Sequence, residues 1–177
     1  ADHAGDVSMT KSCSGVDVCM RGPSTYLPYS WISRKQGVTE QGTPGAEIIS
    51  LRDGTYGEAL PLVSTLEAIL KRPVRLVAGI DSLTGLQIVE RGFSRKLAYM
   101  KKVARVAISG LHELYYGHGE ETAPDDARCI NRLVHRSGDT NWSDVLTKAL
   151  DAKKHWACLV GLRIVTFYDT EAPGPSR

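Results

Sequence analysis

Apolar residues in the first part of the chain change from the short runs typical of strands to the spacing of a helix. Two such runs, Val16 to Met20 and Tyr29 to Ser33, flank an Arg-Gly-Pro-Ser stretch, which predicts two strands joined by a turn. From Pro44 to Leu70 apolar residues recur every three or four positions, which predicts a long helix. Thr43 is expected to be its N-cap and Pro44 to lie in its first turn. Two glycines inside this helix are expected to bend it.

A short β-branched run, Val74 to Ile80, follows a proline and predicts a buried strand. The strand runs directly into Asp81. Because open α/β sheets bind ligands outside the carboxyl ends of their strands, a functional carboxylate is expected at this position. A short helix from Leu83 to Glu90 is then expected to end at Gly92.

The following helix is predicted by an apolar stripe with basic residues along one side. The stripe consists of Leu97, Met100, Ala104, Ile108, Leu111 and Tyr115. Beyond a polar acidic loop, Cys129 to His135 is a further candidate strand. We expect Asp139 or Thr140 to cap a last helical region, Trp142 to Leu162, which is interrupted near Asp151.

The predicted elements follow the order strand, strand, long helix, strand, helices, strand, helix, which is a mixed α/β arrangement. A chain of 177 residues with 42% hydrophobic and 24% charged residues has the size and composition of one folded domain. We expect this domain to span residues 1–165, with Trp31 and Trp156 in its core. Residues 166–177 contain Ala-Pro-Gly-Pro and are expected to be disordered.

Composition also limits the classes of function. The longest apolar runs are much shorter than the roughly 20 residues of a membrane-spanning helix, so no membrane partner is expected. A net charge of +2 permits a polyanionic partner without requiring one. The four cysteines form no Cys-x-x-Cys pair, and no apolar signal segment precedes them, which favours a reduced, intracellular compartment and a structural role for the thiols.

Four carboxylates, Asp2, Glu47, Asp81 and Asp144, lie in separate stretches of the chain. Only the fold can bring acidic residues together over such sequence separations. Hard divalent cations take oxygen ligands of this kind, so the four residues are candidate metal ligands.

Short motifs surround these carboxylates and occur in a fixed order. They are Ala-Asp-His-Ala-Gly-Asp with Lys-Ser-Cys-Ser-Gly after it, Ser-Trp-Ile-Ser-Arg-Lys-Gln, Thr-Pro-Gly-Ala-Glu, Ile-Asp-Ser, and Asp-Val-Leu-Thr-Lys-Ala-Leu. In this order they resemble the ribonuclease H domain of copia-type LTR retrotransposon polyproteins, over about residues 1–162. Glu47 matches the helix carboxylate of the family motif Ser-Thr-Glu-Ala-Glu. Asp81 matches the aspartate of the family's Asp-Asn pair, and Asp144 matches the first residue of Asp-Ile-Leu-Thr-Lys-Pro-Leu.

The resemblance implies a ribonuclease H-like fold, a mixed β-sheet flanked by helices. The family's first-strand aspartate aligns two residues before the one that matches Asp2, so the first strand is expected to be truncated. Asp2 would point to the same face of that strand, displaced by roughly 6 to 7 Å. The implied activity is endonucleolytic hydrolysis of the RNA strand of RNA–DNA hybrids during reverse transcription. Asp2, Glu47, Asp81 and Asp144 would serve as catalytic carboxylates that hold two Mg²⁺, or Mn²⁺, ions.

The expected partners are an RNA–DNA hybrid and the polymerase portion of the same polyprotein, in a cytoplasmic virus-like particle or the nucleus. Basic and hydroxyl side chains are the candidates for contact with phosphate or ribose. They are Lys11, Ser12, Ser14, Arg95, Lys96, Lys101, Lys102 and Arg105.

Two alternatives remain open. The chain can be a catalytically inactive domain of the same fold, with a structural or hybrid-binding role beside a reverse transcriptase. It can also be an integrase-like strand-transfer core, which uses the same carboxylate chemistry, although the Thr-Lys-Ala-Leu ending argues against this class.

Overall fold

The computed structural model of the chain describes residues 11–37, 42–97, 102–117 and 131–164. Helices and two small sheets alternate along them, which confirms the mixed α/β class. In chain order the elements are β1 (Cys13–Arg21), β2 (Tyr26–Lys35), α1 (Thr43–Gly54), α2 (Leu60–Leu70), β3 (Val77–Ile80), α3 (Leu83–Arg91), α4 (Lys102–Tyr116), β4 (Arg132–His135) and α5 (Ala152–Gly161). Residues 1–10 and 165–177, with Asp2 and nearly all of the C-terminal tail, lie outside the described residues.

The first two strands form an antiparallel hairpin, as the turn residues predicted, and both strands are longer than expected. The amide of Gly22 donates to the carbonyl of Thr25 at 2.9 Å and closes the turn. One face of the hairpin packs on α1, where Gly54 lies so close to Val16 that a Cβ at position 54 would overlap its side chain. The prediction of a core position for Trp31 is wrong, because its side chain is 69% exposed on a two-stranded ribbon.

The predicted long helix is present from Thr43 to Leu70, but it contains a π-helical segment, Thr55–Ala59, between α1 and α2. Pro44 lies in the first turn as expected. The N-cap is Gly42, whose backbone is extended, so Thr43 is already helical and the cap predicted there is wrong. In the π segment the hydroxyl of Thr55 lies 3.0 Å from the hydroxyl of Tyr115 and ties this helix to α4. Extra residues in such segments often occur near functional sites.

The second sheet consists of β3 and β4, which pair in parallel with Ile80 opposite His135. Asp81 follows the carboxyl end of β3, as predicted, but the strand begins at Val77 and not at Val74. The prediction of a buried strand is wrong, because only Ile80 of its four residues is buried at the sheet's contact with the core. Helix α3 begins directly afterwards, because the hydroxyl of Ser82 accepts from the amide of Gly85 at 3.0 Å and caps it. The helix ends at Gly92, whose φ of 72° is the left-handed conformation that glycine adopts readily.

The main core lies between α1, α3, α4 and the β3–β4 sheet. Its buried members are Ile48, Ile49, Leu51, Ile80, Ile88, Val89, Leu97, Ile108, Leu111, Tyr115 and Leu133. Most of these residues belong to the apolar stripes predicted from the sequence. Over the described part of the chain, no hydrogen bonds join the β1–β2 hairpin to the β3–β4 sheet.

The last helical region differs from the prediction in its caps. It starts as a 3₁₀ turn, Trp142–Leu146, preceded by Asn141, whereas Asp139 and Thr140 belong to a separate 3₁₀ turn. After the predicted interruption, Asp151 caps α5 by accepting from the amide of Lys154 at 2.9 Å.

Trp156 in α5 is also wrongly predicted as a core residue, because 45% of its surface is exposed. Helix α5 buries Cys158 against the 3₁₀ turn. Trp156 lies two residues earlier, which is roughly 200° around the helix axis, and so it faces away from that contact. Within the described ranges, no helix has the length and hydrophobicity required to cross a lipid bilayer.

Candidate functional site

The fold brings together three of the four candidate carboxylates, Glu47, Asp81 and Asp144. Glu47 belongs to the second turn of α1, Asp81 follows the end of β3, and Asp144 lies in the 3₁₀ turn before α5. All three exert their charge on the ammonium of Lys148, and Glu47 and Asp81 also act on each other. We call these three residues the carboxylate cluster.

Asn141 links two members of the cluster directly. Its Nδ2 donates to Oδ2 of Asp81 at 3.0 Å and to Oδ1 of Asp144 at 3.1 Å. The hydroxyl of Ser143 donates to Oδ1 of Asn141 at 2.7 Å, which orients the amide so that its NH₂ group faces the carboxylates. A single amide therefore holds in register two aspartates that are 63 positions apart in the sequence.

Two lysines neutralise Asp144. Nζ of Lys148 lies 3.0 Å from Oδ1, and Nζ of Lys154 lies 3.1 Å from Oδ2. The Asp144 side chain is only 4% exposed, whereas the Lys148 and Lys154 side chains are 35% and 36% exposed. Burial by itself lowers the pKa of Lys148, but the hydrogen bond to Asp144 and the charges of the whole cluster raise it on balance. The Lys148 ammonium is therefore protonated at neutral pH.

Glu47 is buried and close to a second negative charge. Burial is the main cause that raises the pKa of its carboxyl group, the charge of Asp81 adds to this effect, and nearby positive charge, that of Lys148 included, opposes both. On balance, ionisation of Glu47 is less favourable in the folded protein than in water.

Glu47→Gln is expected to stabilise the metal-free protein at neutral pH. Because the folded-state pKa of Glu47 lies above its ordinary value of 4.5, ionisation costs the folded state free energy at pH values above that folded-state pKa. The gain should shrink as the pH falls through this pKa and vanish below about 4.5. Urea unfolding in EDTA across pH 3 to 8, with the exposed Glu90→Gln as control, measures the difference. An equal gain at both ends of the pH range would show that shape, not charge, is responsible.

The 3₁₀ turn that carries Asp144 is fixed by close packing on both sides. A Cβ on Gly15 of β1 would overlap the side chain of Thr147, and a Cβ on Gly161 of α5 would overlap the ring of Trp142. The hydroxyl of Ser33 also donates to the carbonyl of Leu146 at 2.5 Å. The hairpin and α5 thus hold the turn between them, and glycine allows both approaches.

Asp81 lies at the accessible side of the cluster. Its side chain is only partly buried, and a ring nitrogen of His135 lies 3.0 Å from its backbone carbonyl oxygen. The neighbouring residues of β4 and the turn after it are mostly exposed. A substrate would approach the cluster from this edge.

The donor set has the oxygen chemistry that Mg²⁺ and Mn²⁺ prefer. As the side chains stand, however, no three or more His, Cys, Asp or Glu residues within 11–37, 42–97, 102–117 and 131–164 are grouped to hold a metal ion. The residues therefore match a divalent cation in chemical type, but they do not form a cation site as the described side chains stand.

The residues predicted to bind nucleic acid differ in solvent exposure. Lys11, Arg95 and Arg105 are exposed. Ser12 and Ser14 are fully buried, and Oγ of Ser14 accepts from Nε2 of Gln36 at 3.0 Å, so direct contact of either serine with a substrate is excluded in this structure. Lys101 and the side chains of Lys96 and Lys102 lie outside the described residues.

Three residues of the site were not predicted from the sequence as functional. They are Asn141, Lys148 and Lys154. The spacing offered a partial signal, because Lys148 stands four residues after Asp144, at a distance at which helical side chains meet. Nothing in the sequence indicated that Asn141 would reach Asp81.

No family model, curated protein sequence or solved structure is significantly similar to this chain. A functional interpretation therefore depends on the motifs and on the geometry of the carboxylate cluster.

Proposed function

We propose that this chain is a ribonuclease H-type endonuclease domain that hydrolyses the RNA strand of RNA–DNA hybrids with divalent cations. The observation that supports the proposal most strongly is the convergence of Glu47, Asp81 and Asp144 from a helix, a strand end and a turn. These are three of the carboxylates that the motif resemblance selected. The proposed fold is accordingly the ribonuclease H-like arrangement of a mixed sheet flanked by helices.

The residues of the site have two roles in this proposal. Glu47, Asp81 and Asp144 would hold the cations, with Asp2 as the expected fourth carboxylate outside the described residues. Bound divalent ions supply positive charge at the attacking water and at the leaving oxygen of the phosphodiester. Asn141 keeps Asp81 and Asp144 in register.

Exposed basic residues elsewhere on the chain suit a polyanionic substrate. Arg95 and Arg105 are exposed close to the start of α4, where they would contact phosphates without sequence preference. The expected partners are an RNA–DNA hybrid and the polymerase portion of the same polyprotein.

A second candidate function is a catalytically inactive domain of the same type that binds hybrid or serves a structural role. The observation that favours it is the saturation of Asp144, whose two oxygens bind Lys148 and Lys154. If neither ammonium can leave, the cluster remains neutralised by the protein itself.

Cleavage of a labelled RNA–DNA hybrid separates the two functions. The purified chain and a version extended upstream of Ala1 are incubated with the hybrid and Mg²⁺, with EDTA as control. Cleavage of the RNA strand that depends on Mg²⁺ supports the endonuclease. If neither protein cuts while both bind the hybrid, the inactive domain is the correct assignment. If only the extended protein cuts, residues upstream of Ala1 are required for cleavage.

A further inference from the structure

We propose that the face of the β1–β2 hairpin directed away from α1 is a docking site for an arginine side chain of a partner polypeptide. The site is a groove, which we call the hairpin groove. Its lining includes Asp17, Tyr26, Pro28, Trp31, Leu162 and Ile164. The inference does not depend on the proposed function, since none of these residues belongs to the carboxylate cluster.

The pairing of the two strands places Asp17 and Trp31 side by side in the hairpin groove. The two residues are direct partners in the antiparallel register, so their side chains stand on the same face. The opposite face is already covered, because Val16 packs on Gly54 of α1. The segment that follows α5 forms the other wall. A carboxylate and an indole therefore lie next to each other in a groove whose other lining is mainly apolar or aromatic.

Asp17 has no ion-pair partner among the described residues. Its side chain is partly buried, and burial raises the pKa of its carboxyl group more than its own backbone amide and the charge of Arg136 lower it. Arg163, which follows α5, acts on the phenol of Tyr26 at the other end of the groove. The protein thus leaves most of the Asp17 charge uncompensated, and a cation bound from outside would compensate it.

Trp31 determines which cation suits the groove. Its side chain is 69% exposed, although it is the largest apolar group of the hairpin. A guanidinium can stack on an indole and donate two parallel hydrogen bonds to a neighbouring carboxylate, whereas an ammonium cannot form this planar fork. The apolar wall would cover the methylene groups of the arginine and an apolar neighbour in the partner. Charge and shape together therefore favour arginine over lysine.

The docking site is tested by NMR titration of the full chain with the blocked peptide Leu-Arg-Leu, followed through the indole N–H signal of Trp31. We expect it to bind about tenfold more tightly than the same peptide with citrulline, a neutral isostere of arginine. The lysine peptide should lie between the two. Equal binding of the arginine and citrulline peptides would show a purely apolar groove and overturn the inference. So would the absence of any change in the signal at about 10 mM arginine peptide.

Variants of the protein test the same contact from the other side. Asp17→Asn is expected to remove the preference for arginine over citrulline, with Asp139→Asn, an exposed aspartate elsewhere, as the matched control. Trp31→Ala, followed through the backbone amide of Asp17, should weaken binding of the arginine peptide about tenfold. Its control is Tyr29→Ala, because Tyr29 is exposed on β2 outside the groove lining. A preference for arginine that persists in Asp17→Asn overturns the inference. If this variant does not fold, the comparison of peptides on the unsubstituted chain still decides.

A second copy of the chain is the competing occupant of the groove. Sedimentation at the concentrations of the NMR titration distinguishes it from a partner polypeptide. We expect a monomer whose Trp31 signal is independent of protein concentration. A dimer whose formation shifts this signal would show that the groove is covered by another copy, and the inference would fail.

Discussion

Asp81→Asn is expected to lower the rate of hybrid cleavage by about a thousandfold. A carboxylate that holds a cation contributes to several kcal/mol of charge stabilisation in the transition state, and about 4 kcal/mol corresponds to this factor. The substitution removes one negative charge while the carbonyl oxygen of the new side chain can still accept from Nδ2 of Asn141, as Oδ2 of Asp81 does at 3.0 Å. The loss should therefore appear in kcat, measured with labelled hybrid at saturating Mg²⁺.

Asp139→Asn is the matched control for this measurement. Asp139 lies in the separate 3₁₀ turn Gly138–Thr140, is exposed, and carries the same charge outside the carboxylate cluster. It should leave kcat unchanged. Cleavage by Asp81→Asn at the rate of the control would remove Asp81 from the catalytic machinery and with it the proposed cation site.

The helices and strands of this chain were predictable where their signals are local. The glycine and proline of the β1–β2 turn and the β-branched run before Asp81 act within a few residues, and each produced the expected element. The π-helical segment in the long helix was not predicted, and it includes a tertiary contact, because the hydroxyl of Thr55 pairs with that of Tyr115, 60 positions away. No periodicity of apolar residues indicates such a partner.

Exposure of the tryptophans was not predictable for a related reason. Hydrophobicity alone placed Trp31 in the core, but whether a strand face is covered depends on which element packs there. Leu146, Leu162 and Ile164 line one groove with Trp31, and they leave most of the indole in solvent. The prediction failed because the sequence does not state which strands have neighbours on both faces.

The residues of the candidate site also differ in how far the sequence could predict them. Its acidic members could be selected from motifs, because each motif keeps its residues within a short stretch of chain. The residues that neutralise and align the cluster could not, because Asn141 bonds Asp81 across 60 positions and Lys154 bonds Asp144 from a different helix. Side chains that act on a site through hydrogen bonds leave little signal in the local sequence, whereas each of the carboxylates stands within a short motif.

Asp144→Ala is expected to cause the largest loss of stability in the site, about 2 kcal/mol or more in the metal-free protein. The carboxylate is almost completely buried and accepts hydrogen bonds from Asn141, Lys148 and Lys154. Removal of one partner of a buried ion pair leaves the other charge uncompensated, which costs roughly 3 to 5 kcal/mol when both partners are buried. Because both lysines are about one-third exposed and regain some hydration, the expected loss lies below that range.

Asp144→Asn distinguishes the charge of this side chain from its shape. The amide fills the same space and keeps an acceptor for one lysine. Urea unfolding should therefore show a loss of stability that is smaller than that of Asp144→Ala but still measurable.

A second substitution tests the ion pair itself. Lys154→Met should lower the free energy of unfolding less in each Asp144 variant than in the unsubstituted chain, because the ion pair is already broken. If the alanine and asparagine variants are equally stable, and both match the unsubstituted chain, Asp144 does not anchor the turn. The neutralised carboxylate would then be held in place by the packing of Thr147 on Gly15 and of Trp142 on Gly161 alone.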